Sequence, residues 1–229
     1  MKAVLFDIDN TLLIKKPTVA EKWCDVLCGN GFDIAAKDTQ RAFAACEMWV
    51  GHQVQYENAT GERLSDEAFL NGVMQCCIDS LGLDASAIPL LSPVWKGEYE
   101  KNYALAPGAL ELLRKLKKQG IAMGIVSNNT SSIRQVLTAM GLSEYFETIV
   151  ISEEVGLYKP NPQILCYACE QLGVNVDEAI YVGDHPFDVV CAKAAGVQAA
   201  WIPANEFMML PPNTPEPEFR LNSLSELPV

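Results

Sequence analysis

Two carboxylates one residue apart close a short apolar run near the start of the chain, in Val4-Leu5-Phe6-Asp7-Ile8-Asp9-Asn10-Thr11. An uninterrupted apolar run of this length reads as a buried parallel strand. In open α/β sheets, chemistry collects just beyond the carboxyl ends of such strands. Asp7 and Asp9 placed there would repel each other unless a cation joins them. A hard divalent ion such as Mg²⁺ takes oxygen ligands and answers that need. Asp and Asn also favour turns at strand ends, so the motif by itself leaves a metal-assisted site and a plain surface turn level.

Three later segments put polar residues in equivalent places. Ile125-Val126-Ser127-Asn128 ends a second apolar run in a hydroxyl and an amide, either of which also serves as an ordinary helix cap. Gly156-Leu157-Tyr158-Lys159-Pro160-Asn161-Pro162 presents Lys159 beside prolines that restrict its backbone, where a loop lysine is otherwise a solvated charge. Tyr181-Val182-Gly183-Asp184-His185-Pro186-Phe187-Asp188 sets two more carboxylates at a strand-to-helix junction, each of them also a reasonable helix cap. Taken in order, an Asp-x-Asp, a serine, a lysine and an Asp pair fall at one edge of one sheet. Four unrelated turn or cap roles would have to coincide to give that series.

The elements that must position these residues alternate. Strands are predicted at 2–6, 121–126, 148–151, 179–182 and 198–202, with an edge strand near 219–221. Helices are predicted over 108–119, 131–140, 162–172 and 187–195 between and before them. Such alternation means an α/β fold, a doubly wound parallel sheet of Rossmann-like type with helices on both faces. Between the first and second strands no strand-like run appears. Instead, helical periodicity marks 17–28, 37–56, a segment capped by Ser65 and closed by Gly82, and 93–103. Four successive helices read as a small bundle. The expected organisation is a Rossmann-like core over 1–14 and 105–229, interrupted by a helical domain over 15–104.

At 229 residues, 49% of them apolar and 20% charged, the chain is long enough for this core and insertion. A net charge of −12 argues against nucleic-acid polymers and anionic membranes as partners, while leaving small anionic substrates open where a metal ion and a lysine reverse the sign locally. No apolar run spans a bilayer, and no signal peptide precedes the first strand. The eight cysteines fall largely in predicted helices, and Cys166-Tyr167-Ala168-Cys169 has no second pair to complete a zinc site. They read as core packing in a reduced, cytoplasmic protein.

With this ordered set on the page, the chain resembles the haloacid dehalogenase superfamily of phosphohydrolases, in the form that carries a helical cap after the first motif. Residues 7–11 match its first motif, Ser127 its second, Lys159 its third and 183–188 its fourth. The resemblance implies hydrolysis of a small phosphomonoester. Asp7 would be the nucleophile, forming an aspartyl-phosphate, and Asp9 the general acid and base. Mg²⁺ would be held by the Asp7 and Asp184 carboxylates and the Asp9 backbone carbonyl. Ser127 and Lys159 would bind phosphoryl oxygens with Thr11 and Asn128 assisting, and Asp188 would complete the metal's surroundings or orient Lys159.

The departures from relatives narrow the reaction. Dehalogenases and phosphonatases of the superfamily lack the second aspartate of the first motif, and Asp9 is present here. Sugar phosphomutases keep both aspartates but carry a histidine soon after; the stretch Leu13-Ile14-Lys15-Lys16-Pro17 has none. A phosphomutase therefore stands as the enzymatic alternative, and a silent binding module as a more distant one, since neither nucleophile nor lysine is missing. His185 reads as a variation beside the site and His52 as a packed or solvent-facing residue of the helical domain. Substrate selection is expected from that domain, from Glu62, Arg63, Lys15 and Lys16. Trp49 and Tyr56 are expected in the bundle core. Nothing in the sequence indicates an oligomeric state.

Overall fold

A computed structural model describes residues 1–229, except for the side chain of Asn58. The chain opens with β1 (Ala3–Phe6) and β2 (Leu13–Lys16), then four helices, α1 (Val19–Gly29), α2 (Ala36–Thr60), α3 (Asp66–Leu81) and α4 (Ile88–Trp95). After β3 (Asn102–Leu105) come α5 (Ala109–Gln119), β4 (Ala122–Ser127), α6 (Ile133–Ala139), β5 (Thr148–Ile151), α7 (Ser152–Val155) and α8 (Gln163–Leu172). The remainder is β6 (Ala179–Gly183), α9 (Pro186–Ala195), β7 (Gln198–Trp201) and β8 (Phe219–Arg220).

Among the described residues, six strands form one parallel sheet in the order β5-β4-β1-β6-β7-β8. Every residue of β1 is buried, because the strand has neighbours on both sides, which is why its sequence is uniformly apolar. From β1 the chain passes to β4 and outward to β5, then returns to the other side of β1 and runs outward through β6, β7 and β8. That reversal beside β1 is the switch point at which open α/β sheets bind ligands. Phe6, the last residue of β1, pairs with Ile125 of β4 and Val182 of β6, so the three central strands end within two residues of one another. Val4 and Phe6 share a buried cluster with Leu113 and Leu116 of α5 and Leu137 of α6, while α8 packs against β4 and β5.

Two compact units emerge. One comprises Met1–Ile14, Tyr103–Ala204 and Pro212–Val229; the other comprises Lys15–Asn102 with Asn205–Pro211. The last segment, expected with the sheet, groups with the helices instead. Its Asn205 amide donates to the Gln40 carbonyl at 3.4 Å, Glu206 pairs with Lys37, and the Phe207 ring lies under Lys37 and Arg41.

Within the helical unit, Thr18 and Glu21 form a reciprocal capping box at the start of α1. Ser65 caps α3, and Gly82 ends it in the left-handed conformation, as the sequence predicts. Trp23, Leu27, Cys46, Val73, Met74 and Leu91 are buried together, and the Trp23 indole donates to the Leu91 carbonyl at 3.0 Å. Trp49 meets Phe69 edge-on, the expected bundle role. Tyr56 does not share it: it is 50% exposed and its hydroxyl bonds Glu62.

Other elements depart from expectation. α2 continues to Thr60 before Gly61 turns left-handed. α4 begins at Ile88 and holds Pro93 in its interior; Pro89 is the proline at the helix start. β2 and β3 replace expected non-strand segments and form a separate two-stranded pair, and strands of four residues carry too few positions to show a period. The eight cysteines are free, with Cys46, Cys77, Cys169 and Cys191 buried and Cys28 exposed. His52 is exposed, and among the described residues no helix is long and apolar enough to cross a membrane.

Candidate active site

Asp7 follows the last residue of β1, and its amide donates to the Val182 carbonyl of β6 at 2.9 Å, continuing the ladder one step past the strand. Ser127 ends β4, and Asp184 follows the end of β6. These neighbouring strand ends therefore bring three polar residues from distant parts of the sequence to one sheet edge.

Lys159 comes to the same edge from the loop between α7 and α8. The Asn128 side chain, just past β4, holds its backbone at two points: the amide donates to the Lys159 carbonyl at 2.9 Å, and Asn128 Oδ1 accepts from the Lys159 N–H at 2.8 Å. So held, the buried Lys159 ammonium reaches Asp7 Oδ1 at 3.0 Å, Asp188 Oδ1 at 2.7 Å and the Tyr181 hydroxyl at 2.7 Å. Asn128, expected at the phosphate, thus has both side-chain polar atoms on the lysine backbone.

Asp188 lies in the first turn of α9. Its Oδ2 accepts from the His185 N–H at 2.9 Å and its Oδ1 from Lys159, so it is at once a helix cap and an ion-pair partner. Gly183 makes room for it: a Cβ at that position would lie 2.4 Å from Asp188 Oδ2. Asp184 accepts from the Asn10 amide at 3.3 Å, and its main-chain carbonyl accepts from the Trp201 indole at 2.7 Å. Asp9 is partly buried, and its Oδ2 accepts from the Asn129 amide at 3.2 Å. Thr11 is fully buried, and among the described residues its hydroxyl has no hydrogen-bond partner.

Burial raises the Asp7 carboxyl above the ordinary carboxylate range; Lys159 opposes this, Asp188 adds to it, and a hydrogen bond from Ser127 lowers it in part. Burial alone would depress the Lys159 ammonium, but Asp188 and Asp7 outweigh it and hold the pKa above the usual value. Tyr181 is held well above the ordinary phenol range by burial, then by Asp188 and Asp7, so it stays neutral and donates to the Val126 carbonyl at 2.8 Å.

Asp7, Asp184 and Asp188 each offer a carboxylate oxygen within 4.8 Å of the others, and all three are buried. The one lysine of the cluster pairs with two of its three buried carboxylates, Asp7 and Asp188, so negative charge exceeds positive and the oxygen donor set fits a hard divalent cation. Because Asp188 is engaged by Lys159 and the His185 amide, Asp7 and Asp184 are the better placed to serve as direct ligands.

Sequence reasoning passed over four residues here. Tyr181 sits in a buried strand, where a phenol must find a polar partner. Asn10 adopts φ 56°, a conformation Asn tolerates better than most residues. Trp201 braces the backbone of Asp184. Asn129 left no local signal, because its partner Asp9 is 120 residues away.

Comparison with known proteins places the chain in a family. The family model of haloacid dehalogenase-like hydrolases matches residues 4–202. The chain is 28% identical over 198 residues to a phosphoglycolate phosphatase of Pseudomonas putida, covering 86% of this chain and 67% of that protein. It is 35% identical over 131 residues to a phosphoserine phosphatase of Thermus thermophilus, covering 56% and 51% respectively. A haloacid dehalogenase-type phosphatase from Thermococcus onnurineus superposes with a TM-score of 0.58 at 27% identity, over 99% of this chain and 96% of that one.

Proposed function

This chain belongs to the haloacid dehalogenase-like hydrolases, and on that premise we propose that it hydrolyses a small phosphomonoester with Mg²⁺, through an aspartyl-phosphate on Asp7. The observation that carries this reading is the Lys159 ammonium lying between Asp7 and Asp188, with Asp184 beside them, at the edge of the central strand.

The Asp7 carboxylate forms a bond to phosphorus as the bond from phosphorus to the alkoxide oxygen breaks. The leaving oxygen takes that electron pair and the proton of the Asp9 carboxyl. Water then attacks phosphorus, giving a proton back to Asp9 and releasing phosphate and a free Asp7. Lys159, fixed by Asn128, binds phosphoryl oxygens together with the Ser127 hydroxyl, and Asp188 holds the ammonium in place. The Asp7 and Asp184 carboxylates and the Asp9 main-chain carbonyl would hold Mg²⁺, which would supply neutralisation of the phosphoryl charge. Thr11 brings a buried hydroxyl to the same motif.

These groups recognise the phosphoryl moiety, so the choice of leaving group falls to the helical unit, which we assign as the cap. The similar enzymes are named for phosphoglycolate and phosphoserine, and small carboxylated alkyl phosphates are the first substrates to try. Eight free cysteines suit a reducing cytoplasm.

The deciding experiment is phosphate release from a panel of phosphomonoesters, with Mg²⁺ and with chelator. Metal-dependent release from one class, abolished in Asp7→Asn together with acid-stable label on the chain, is the expected result. Isomerised product without free phosphate would instead indicate a mutase, and no turnover of any kind would leave only a binding role.

A further inference from the structure

We infer that Asn129 is a positioning residue for the acid step: it orients the carboxyl of Asp9, and buried Ser152 orients Asn129 in turn. The inference rests on the acid role assigned to Asp9 above.

The amide of Asn129 has only one chemically sensible orientation. Its oxygen accepts from the Thr130 N–H at 2.9 Å, so its nitrogen must be the atom facing Asp9 Oδ2 at 3.2 Å. Asn129 is itself held from the neighbouring strand. Ser152, next after β5 and 1% exposed, accepts from the Asn129 N–H at 3.1 Å and donates to the Asn129 carbonyl at 3.3 Å. A single hydroxyl thus fixes both backbone groups of the residue that holds the acid.

The chemical consequence is directional. In a carboxylic acid the carbonyl oxygen is the better acceptor. An amide donor on Oδ2 therefore makes Oδ2 the carbonyl oxygen and leaves the proton on Oδ1. The same bond fixes rotation about the Cβ–Cγ axis. General-acid efficiency depends on both, because proton transfer needs the O–H aimed at the leaving oxygen as its bond to phosphorus breaks.

Leaving-group dependence separates this role from a merely structural one. The probes are p-nitrophenyl phosphate, whose leaving group departs without a proton, and phenyl phosphate, of nearly the same shape, whose leaving group needs one. In Asn129→Ala, kcat/KM for phenyl phosphate should fall about tenfold or more, part of the ~10²–10⁴ that general-acid catalysis contributes, while p-nitrophenyl phosphate changes by less than about threefold. Asn129→Asp, isosteric but without the donor, should repeat that pattern and decides the matter if the alanine variant does not fold. Ser152→Ala should show the same pattern more weakly. Equal losses on both substrates in the Asn129 variants would overturn the inference. Asp9→Asn provides the control. If it discriminates strongly between the probes while the Asn129 variants do not, the positioning role alone fails. If Asp9→Asn does not discriminate, the acid assignment fails and the positioning role falls with it.

Discussion

The buried Lys159 ammonium pairs with the carboxylates of Asp7 and Asp188 and donates to the Tyr181 hydroxyl. Tyr181 passes the chain on by donating to the Val126 carbonyl. Tyr181→Phe keeps the ring and removes the link, leaving a buried carbonyl and one N–H of a buried cation without partners. The expected cost is ~1–3 kcal/mol, read as a lower denaturation midpoint at unchanged slope. An unchanged midpoint would show that another group takes over both bonds. The site residues differ in how far the sequence reveals them for the same reason. Asp7 and Asp184 are charged groups at strand ends, Lys159 stands in a proline-flanked loop and Asp188 opens a helix, and all four stand out against apolar runs. Tyr181, Asn10 and Asn129 matter only through partners supplied by other strands, and no spacing along the chain encodes those distances.

Elements show the same division between local and non-local causes. α3 carries Gly72 in its interior, where alanine is the better helix former by ~1 kcal/mol. The reason lies on α2: a Cβ at residue 72 would meet the Trp49 ring at 2.2 Å. Overpacking of that kind costs ~1–3 kcal/mol, so it outweighs the propensity gain. Gly72→Ala should therefore lower the stability of the helical unit by up to about 2 kcal/mol, seen in denaturant melts followed by tryptophan fluorescence. A stabilised variant would mean that Trp49 swings clear at little cost. α1, α3 and α5 are legible because a cap or a glycine stop declares them, and the short β1 because its apolar run is continuous. β2, β3 and the four-residue α7 are not: each owes its form to a partner segment or a single turn. Residues 205–211 illustrate the limit further, since only the contacts of Phe207, Glu206 and Asn205 assign them to the helices.

At the scale of the molecule, the charge excess and the division into two units make metal binding measurable without catalysis. The chain carries a net −12, and three buried carboxylates with one lysine concentrate part of it in the sheet unit. A cation that binds the folded site and not the unfolded chain stabilises the fold by RT ln(1 + [L]/Kd), ~2.7 kcal/mol at a hundredfold excess over Kd. None of the three carboxylates belongs to the helical unit, and neither do Asp9 or Lys159. The tryptophans separate the units as reporters: Trp23, Trp49 and Trp95 lie in the helical unit, and Trp201, hydrogen-bonded to the Asp184 carbonyl, lies in the sheet unit. A chain of two units need not melt in one step. With Trp201 as the sole tryptophan, the others replaced by phenylalanine, Mg²⁺ should raise the melting temperature, chelator should reverse the rise, and Asp184→Asn should abolish it. A chain retaining only the helical tryptophans should show a smaller rise if the units unfold separately, and an equal one if they unfold together. No rise from either reporter at millimolar Mg²⁺ would mean that the three carboxylates do not hold the ion, whatever the activity assay records.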